Sequence, residues 1–574
     1  MLTTSYTSRN HTMRLFTFAF LFVVFPLFTF ATSNDSRTLL KINKGIDIYG
    51  RVYQEIVSNY VETVDPEKLM HASLNGMLDI LDPFTQYYDE TETDEVDLIT
   101  TGKYGGVGIS VGFRDGYITI LSLMEGYSAQ RQGLLPGDKL IEVDGKNIVG
   151  IKVEDVKKLT RGDPFTEVKV KIEREGEKEP LEFVLMREEI QLKSVTYSDF
   201  LQPGIGYVRL ERFTRRTGED VRFAIQELKM RGEIHSLILD IRDNPGGLLD
   251  AAVEVSEIFL PKNSLIVSTK GKGETPILQR EYRSVKDAVL PAIPLAVLVN
   301  RNSASASEIV AGAIQDYDRG ILLGTRTYGK GLVQTIVPLP YNSQLKVTTA
   351  KYYTPSGRSI QEIDYSREKK SGTFSATPES LRKDFSTTHN RRVKDLGGIS
   401  PDTVVELTEA SSLFKALMQK SFLFKYANAF LAANKEMPLE LPGENAMISD
   451  FKKFVSERAF TFEDETEQKL RELNDLAKKS QMSESLLAKL EEAKAQLEKE
   501  KDSLFERNKK EIVRTLRMEI MSRYRGEKGR IEVSLKDDEQ VNVAIGVLKN
   551  KERYDSLLTP HIQEAKVNDE KKKE

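Results

Sequence analysis

Neither cysteine nor tryptophan occurs among the 574 residues, and histidine occurs only five times. Without cysteine there is no disulfide, no thiol nucleophile and no thiolate metal site. His11, His71, His235, His389 and His561 are scattered, so no pair has the helical spacing of a zinc protease. A basic excess is missing too. Lysine and arginine number 83 against 87 acidic residues, a formal charge of −4, which argues against a nucleic-acid surface. Hydrolytic chemistry is left to hydroxyls, carboxylates, lysines or a long-range histidine pairing. No metal and no cofactor is expected.

Long apolar runs are scarce, and one stands out: Leu15–Ala31, preceded by Arg9, His11 and Arg14 and followed by Thr32 and Ser33. A basic stretch, an apolar stretch and then small residues is the order of a secretory signal. The alternative is an uncleaved anchor, short for a bilayer span and interrupted by Pro26. Residues 1–33 are therefore expected to export the chain to the cell envelope, as a periplasmic protein that meets the membrane only through that segment. The lack of cysteine suits an oxidising compartment.

The remaining length predicts about three to five domains. Residues 37–100 carry helical periodicity, with Ile46, Tyr49, Tyr53 and Ile56 on one face and Leu74, Met77, Leu78 and Leu81 on another. From 101 to 190 the texture changes to short β-branched runs between Gly and Asp turns, which read as strands. From 191 to 408 buried-strand runs such as SLILDIR and LAVLVN alternate with amphipathic helices, an α/β pattern with parallel pairing. Within it, 361–396 is polar and aperiodic and reads as an insertion or long loop. Residues 409–574 are helical and highly charged. Leu490, Leu497 and Leu504 recur at heptad spacing, and so short a run favours helices packing on their own domain over a free coiled coil.

Two segments carry chemistry. The first is Gly105-Gly106-Val107-Gly108-Ile109. No helix follows it, so a dinucleotide loop fails its context test. It reads either as a tight hairpin or as a nest of backbone N–H groups that holds a peptide's terminal carboxylate while the peptide adds as a strand. The following SAQRQGLLPGDKLIEVDG resembles a PDZ domain, which implies that the amides of Gly105, Gly106, Val107, Gly108 and Ile109 bind a carboxylate and that Val153–Leu159 lines the side-chain pocket.

The second runs from Val299 to Gln334. Small residues at 303–307 lie where a strand meets a helix, a turn that exposes a serine near unpaired backbone N–H groups. Any one of Ser303, Ser305 and Ser307 could simply cap that helix. Lys330 lies between Gly329 and Gly331, and Gln334 follows in an extended run where period two puts it on the same face as Lys330. A lysine acts as a general base only when burial lowers its pKa, and a neutral amide can orient the amine.

SASASEIVAGAIQD followed by TYGKGLVQ resembles the carboxyl-terminal processing or tail-specific proteases of the serine–lysine dyad class. LNGMLDILDPFTQYY at 74–88, GYVR at 206–209, DIRDNPGG at 240–247, KYYTPSGRSIQ at 351–361 and GGISPD at 397–402 extend that resemblance in order over roughly residues 40–408. It implies a crotonase/ClpP-like α/β core with an inserted PDZ domain and helical N- and C-terminal regions. It further implies Ser305 as nucleophile, Lys330 as general base and Gln334 as its orienting partner. The oxyanion hole would use Ala306 N–H and an N–H of the Asn244–Gly247 turn, with Gly246 and Gly247 as candidates. Substrates would be proteins or peptides with free C-termini, and self-association and an adaptor protein are candidate partnerships. The segment 361–396 and the C-terminal extension depart from the simplest pattern of the family.

Three other readings compete. A non-catalytic envelope scaffold would have no use for a buried lysine beside a serine. A Ser-His-Asp hydrolase would need His235 or His389, which lie in a strand start and in the aperiodic segment. A crotonase-like acyl-CoA enzyme fits neither the export signal nor the PDZ-like stretch.

Overall fold

The computed structural model describes residues 33–560, apart from 91, 93–97, 99, 273–278, 366–373 and 408. The expected export segment at 1–33 lies almost wholly outside the described residues. Among the described residues, no helix is long and apolar enough to cross a membrane.

The chain divides into two units at Ile80 and Leu81. The first holds the helices Ser33–Asn59 and Pro66–Leu78. Asp65 caps the second helix by accepting from Glu67 N and Lys68 N, and Pro66 follows at the position where a missing N–H costs nothing. The helical reading does not extend to residue 90. Past Leu81 the Asp82 carboxylate folds a turn by accepting from Phe84 N and Thr85 N, and Gln86–Tyr88 is a strand.

The second unit is built on three larger sheets. In the PDZ-like sheet the strands run Ile109–Arg114, Tyr117–Leu123, Lys139–Val143, Glu167–Glu173 and Leu181–Met186 in spatial order, which leaves Ile109–Arg114 at an edge. The helix Val153–Thr160 packs beside that edge. A separate antiparallel pair, Lys103–Gly106 with Glu188–Gln191, ties the module's entry to its exit.

The core sheet runs Val195–Gln202, Ile205–Leu210, Ser236–Asp240, Leu295–Val299, Ile321–Gly324 and Thr403–Val404, parallel after the first pair. Parallel strands covered on both faces need apolar side chains on both, hence their unbroken hydrophobic runs. Leu237, Leu239, Val297 and Leu322 face the helices Thr217–Arg231, Leu249–Ser256 and Ala306–Asp316. Tyr207, Ile238, Ala296 and Leu298 face the other way, where they pack on Ile531, Leu535, Ala544 and Ile545 of the C-terminal helices. Strand period two thus assigns one set to the core's own helices and the other to the extension. A third, antiparallel sheet contains Leu332–Pro338, Gln344–Tyr353, Leu265–Gly271, Arg280–Arg283 and Gln86–Tyr88.

The segment expected as an insertion is tied into the core. Strands Asp384–Ser386 and Arg392–Lys394 pair, and buried Arg391 bonds both Asp318 and Asp402. Its periodicity is hidden because charged groups rather than apolar ones anchor it. Farther on, Glu465–Lys479 and Glu484–Arg507 are consecutive helices packed on one another, with Leu490 buried. The helix Phe422–Ala433 also reaches the PDZ-like sheet: Arg114 donates to Ser421 Oγ at 2.6 Å, and Lys425 pairs with Asp115 at 2.8 Å.

Replacing fully buried Ile238 with Ala should open a cavity under the C-terminal helices at a cost of about 2–5 kcal/mol. A thermal melt should register this as a clear fall in the midpoint.

Candidate active site

Of the three serines at 303–307, two have structural duties. Ser303 Oγ donates to Ile241 O at 2.8 Å, and Ser307 Oγ donates to Asn244 O at 2.9 Å. Both bonds fasten the serine loop to the neighbouring Asp243–Gly247 turn. Ser305 Oγ donates to no acceptor among the described residues; it faces the helix start, where Ser305 and Glu308 form a capping box. Ser305 has φ +56° and ψ −112°, a region costly for a residue with a Cβ. It stands immediately before the buried helix Ala306–Asp316, as an exposed nucleophile on a strand-to-helix turn must.

What holds this turn is a residue the sequence reading passed over. Glu308 is completely buried, and its carboxylate accepts four hydrogen bonds. Oε2 takes the backbone N–H groups of Ser305 at 2.8 Å and Lys330 at 2.9 Å. Oε1 takes Thr327 Oγ1 at 2.6 Å and Gly329 N at 2.7 Å. Burial pushes the Glu308 carboxyl up to about 7, while the four donors pull it back. Because both oxygens are fully used as acceptors, the geometry holds the ionised form. The spacing Ser305-x-x-Glu308 is that of a capping box, and that was the readable signal.

Tyr352 clamps the same two segments from the strand Gln344–Tyr353. Its buried hydroxyl lies between the carbonyls of Ser305 and Lys330, at 3.1 Å from the first and in a short bond to the second. Desolvation holds the phenol well above its ordinary pKa, so it remains a donor.

The Lys330 amine lies over the Phe84 ring, 4.1 Å from its centre. Desolvation, helped by the Lys346 charge, lowers its pKa to about 8 against the opposing pull of Asp82 and Glu308. Phe84 belongs to the Leu81–Tyr88 stretch, more than two hundred residues away in sequence, and nothing local marks it as a site residue. No hydrogen bond joins Ser305 Oγ, Lys330 Nζ and Gln334 among the described residues. Gln334 Nε2 instead donates to Thr348 Oγ1 at 3.1 Å. Lys330 lies two residues before the strand Leu332–Pro338, so strand alternation does not by itself put Gln334 on its face; the register shift beside Gln334 comes from an extra residue, Thr349, on the partner strand.

The Asp243–Gly247 turn lies directly against Ser305. A Cβ on Gly246, where φ is +98°, would come within 2.9 Å of both Ser305 Cβ and Ala306 N, so only glycine permits the approach. The Gly246 N–H donates to Asn244 Oδ1 at 2.9 Å and is therefore occupied. The Ala306 and Gly247 N–H groups have no acceptor among the described residues. His235 and His389 have exposed side chains, and neither contacts Ser305.

In the PDZ-like module, Gly105–Ile109 leads into the free edge strand. The carbonyls of Val107 and Gly108 accept from Ala129 N and Met124 N, whereas the N–H groups of the same two residues have no acceptor among the described residues. Gly105 O accepts from Gly162 N, and a Cβ on Gly105 would fall 1.9 Å from Gly162 O. The turn is thus packed tightly by the loop that follows the helix Val153–Thr160. Gly108, at φ +81°, provides the left-handed bend into the strand.

Comparisons with known proteins agree with this layout. Residues 204–366 match the model of peptidase family S41, and 95–173 match the PDZ domain. Residues 31–93 match the activating protease CtpB N-terminal domain, and 413–548 match a family described as "Probable PDZ-protease, C-terminal helical domain". A carboxy-terminal-processing protease of Bartonella bacilliformis is 37% identical over 335 residues, 58% of this chain and 75% of that protein. The carboxy-terminal processing protease CtpB of Bacillus subtilis is 33% identical over 347 residues, 59% and 71% of the two chains. Among solved structures, a photosystem II D1 C-terminal processing protease aligns at 28% identity with a TM-score of 0.35, over 62% of this chain and 86% of that one. The chain belongs to the S41 family of carboxy-terminal processing proteases.

Glu308→Gln would turn an amide NH2 toward backbone donors and leave buried polar groups unpaired. Such a loss costs about 1–3 kcal/mol per group. We expect a lower melting midpoint and at least a hundredfold fall in kcat/KM on a peptide substrate.

Proposed function

We propose that Ser305 is the nucleophile and Lys330 the general base of a serine endopeptidase that takes C-terminal protein tails into its PDZ domain. The chain is a serine-type hydrolase of peptide bonds, as its family is. The observation that carries the residue assignment is that Ser305, of three neighbouring serines, is the one whose hydroxyl is not donated to a neighbouring carbonyl, and Glu308 ties its backbone to that of a desolvated lysine.

In the proposed reaction neutral Lys330 takes the Ser305 proton and the alkoxide attacks the scissile carbonyl, giving a tetrahedral oxyanion. The Ala306 and Gly247 N–H groups are the donors for that charge, with Gly246 serving by its close backbone approach. Protonated Lys330 then delivers its proton to the leaving amine, and neutral Lys330 activates the water that releases the acyl group. Gln334 is assigned to orient the amine once substrate is bound. That requires its amide oxygen as acceptor, because the neutral amine must donate an N–H and keep its lone pair for Ser305, while the amide NH2 stays on Thr348. Hydrogen bonds of this kind often tighten only in the substrate complex.

A substrate tail would add as a strand to the edge Ile109–Arg114, with its carboxylate on the amides of Gly105–Ile109 and its last side chain against Val153–Thr160. Tethering the tail raises the local concentration of nearby scissile bonds. The crotonase/ClpP-like character of the core, the envelope location implied by Leu15–Ala31, self-association and an adaptor belong to the same proposal.

Ser305→Ala and Lys330→Ala should each lower kcat by at least about four orders of magnitude while leaving the melting midpoint near that of the parent. Because the deprotonated lysine is the active form, kcat/KM should rise with pH and reach half its plateau near pH 8. Lys346→Met removes a repelling charge and raises the Lys330 pKa, so the same limb should move to higher pH. A pH–rate profile of a purified peptidase assay checks both. Substantial activity in Lys330→Ala would overturn the assignment.

A further inference from the structure

The Asp243–Gly247 turn is strained at its first residue and reaches Ser305 at Gly246. Asp243 has φ +59°, unusual for a residue with a side chain. Such a conformation persists only where the surroundings over-determine it. On one side the serine loop does this: Asn300 Oδ1 accepts from Asp243 N, and Asn300 and Asn302 donate to Asp243 Oδ1. At its base stands Arg242, the residue immediately before Asp243.

Arg242 is buried, and the catalytic core satisfies only part of its guanidinium. Asp240, wholly buried in the central strand, accepts from Nε and from Nη2 at 2.6 Å. Tyr207 OH donates to the same carboxylate at 2.6 Å. Nη1 has two further protons, and no core residue takes them. Both go to the start of the C-terminal helix Glu539–Lys549: Asp538 accepts at 2.9 Å and Gln540 Oε1 at 2.9 Å. Asp538 also caps that helix by accepting from Val541 N, and Gln540 donates its Nε2 to Val405 O. The extension therefore supplies both acceptors of Nη1 on the residue from which the turn departs. Packing of Ile531, Leu535 and Ile545 on the sheet would hold the helices in place without this contact.

We propose that Asp538 and Gln540 are positioning residues for peptide hydrolysis. By accepting from Nη1 of Arg242 they hold the Asp243–Gly247 turn in the conformation that lays Gly246 against Ser305 and offers the Gly247 N–H. This inference rests on the proposed oxyanion role of that turn. Losing one oxyanion donor outright costs roughly two to three orders of magnitude in rate, so loosening its support should cost less.

The test uses the full chain, fluorescein-labelled casein as substrate and a fluorophosphonate probe whose end-point labelling counts competent Ser305. Asp538→Asn keeps the helix cap and removes the charge, and Gln540→Leu removes the second acceptor. The double variant should lose tenfold or more in kcat per labelled serine, with KM within twofold of the parent, and Asp538→Asn alone should fall between. Ile545→Ala, which weakens the same helix packing without touching Arg242, should lower the melting midpoint and leave kcat per labelled serine unchanged. Parent-like kcat per labelled serine in both Asp538→Asn and the double variant would overturn the inference, as would an equal loss in Ile545→Ala. With Ser305→Ala inactive in the same assay, that failure would belong to this inference alone. Activity in Ser305→Ala would instead remove the reading beneath it.

Discussion

Four donors converge on the Glu308 carboxylate, and two of them are the backbone N–H groups of Ser305 and Lys330. A hydroxyl and an amine can exchange a proton only if the segments carrying them keep a fixed separation, and here one buried anion fixes both. A neutral side chain could not replace it, since every lone pair is used. Ionisation in a desolvated site is unfavourable, and the charge-assisted bonds offset it only while all four donors remain in place. The carboxylate therefore couples the integrity of the lysine turn to that of the serine turn. Tyr352 repeats the connection through the two carbonyl groups.

Around this joint the fold supplies three further constraints from distant parts of the chain. The segment Leu81–Tyr88 brings Phe84 beneath the Lys330 amine and, with the strand Gln344–Tyr353, removes water from it. The Asp243–Gly247 turn is fastened to the serine loop by Ser303, Ser307 and Asn300. The C-terminal helices cover the second face of the central sheet and meet Arg242 at the base of that turn. The extension thus forms part of the core, and it also touches the PDZ-like sheet through Arg114 and Lys425.

Much of this was legible in the residues themselves. Short β-branched runs marked the strands of the PDZ-like sheet and unbroken apolar runs those of the core sheet, and the glycine-flanked lysine marked a close approach of backbone. The order of short motifs identified the family. The rest was hidden for physical reasons. Glu308 reads as an ordinary helix residue because its partners come from a loop some twenty positions on. Phe84 and Tyr352 act through tertiary contact, which leaves no local period. Segment 361–396 reads as a loop because, over its described residues around Arg391, ion pairs rather than apolar side chains bind it. Gln334 was placed by strict alternation from Lys330, but Lys330 precedes the strand Leu332–Pro338, so period two alone does not fix their shared face.

A direct titration of the Lys330 side chain tests whether this architecture makes a lysine into a base. Carbon-13 NMR of Cε-labelled lysine, with Lys330 assigned by its loss in Lys330→Ala, reports the protonation of this one amine across pH. The account predicts a midpoint near 8. A midpoint at about 10.4, the value of a solvated lysine, would contradict it.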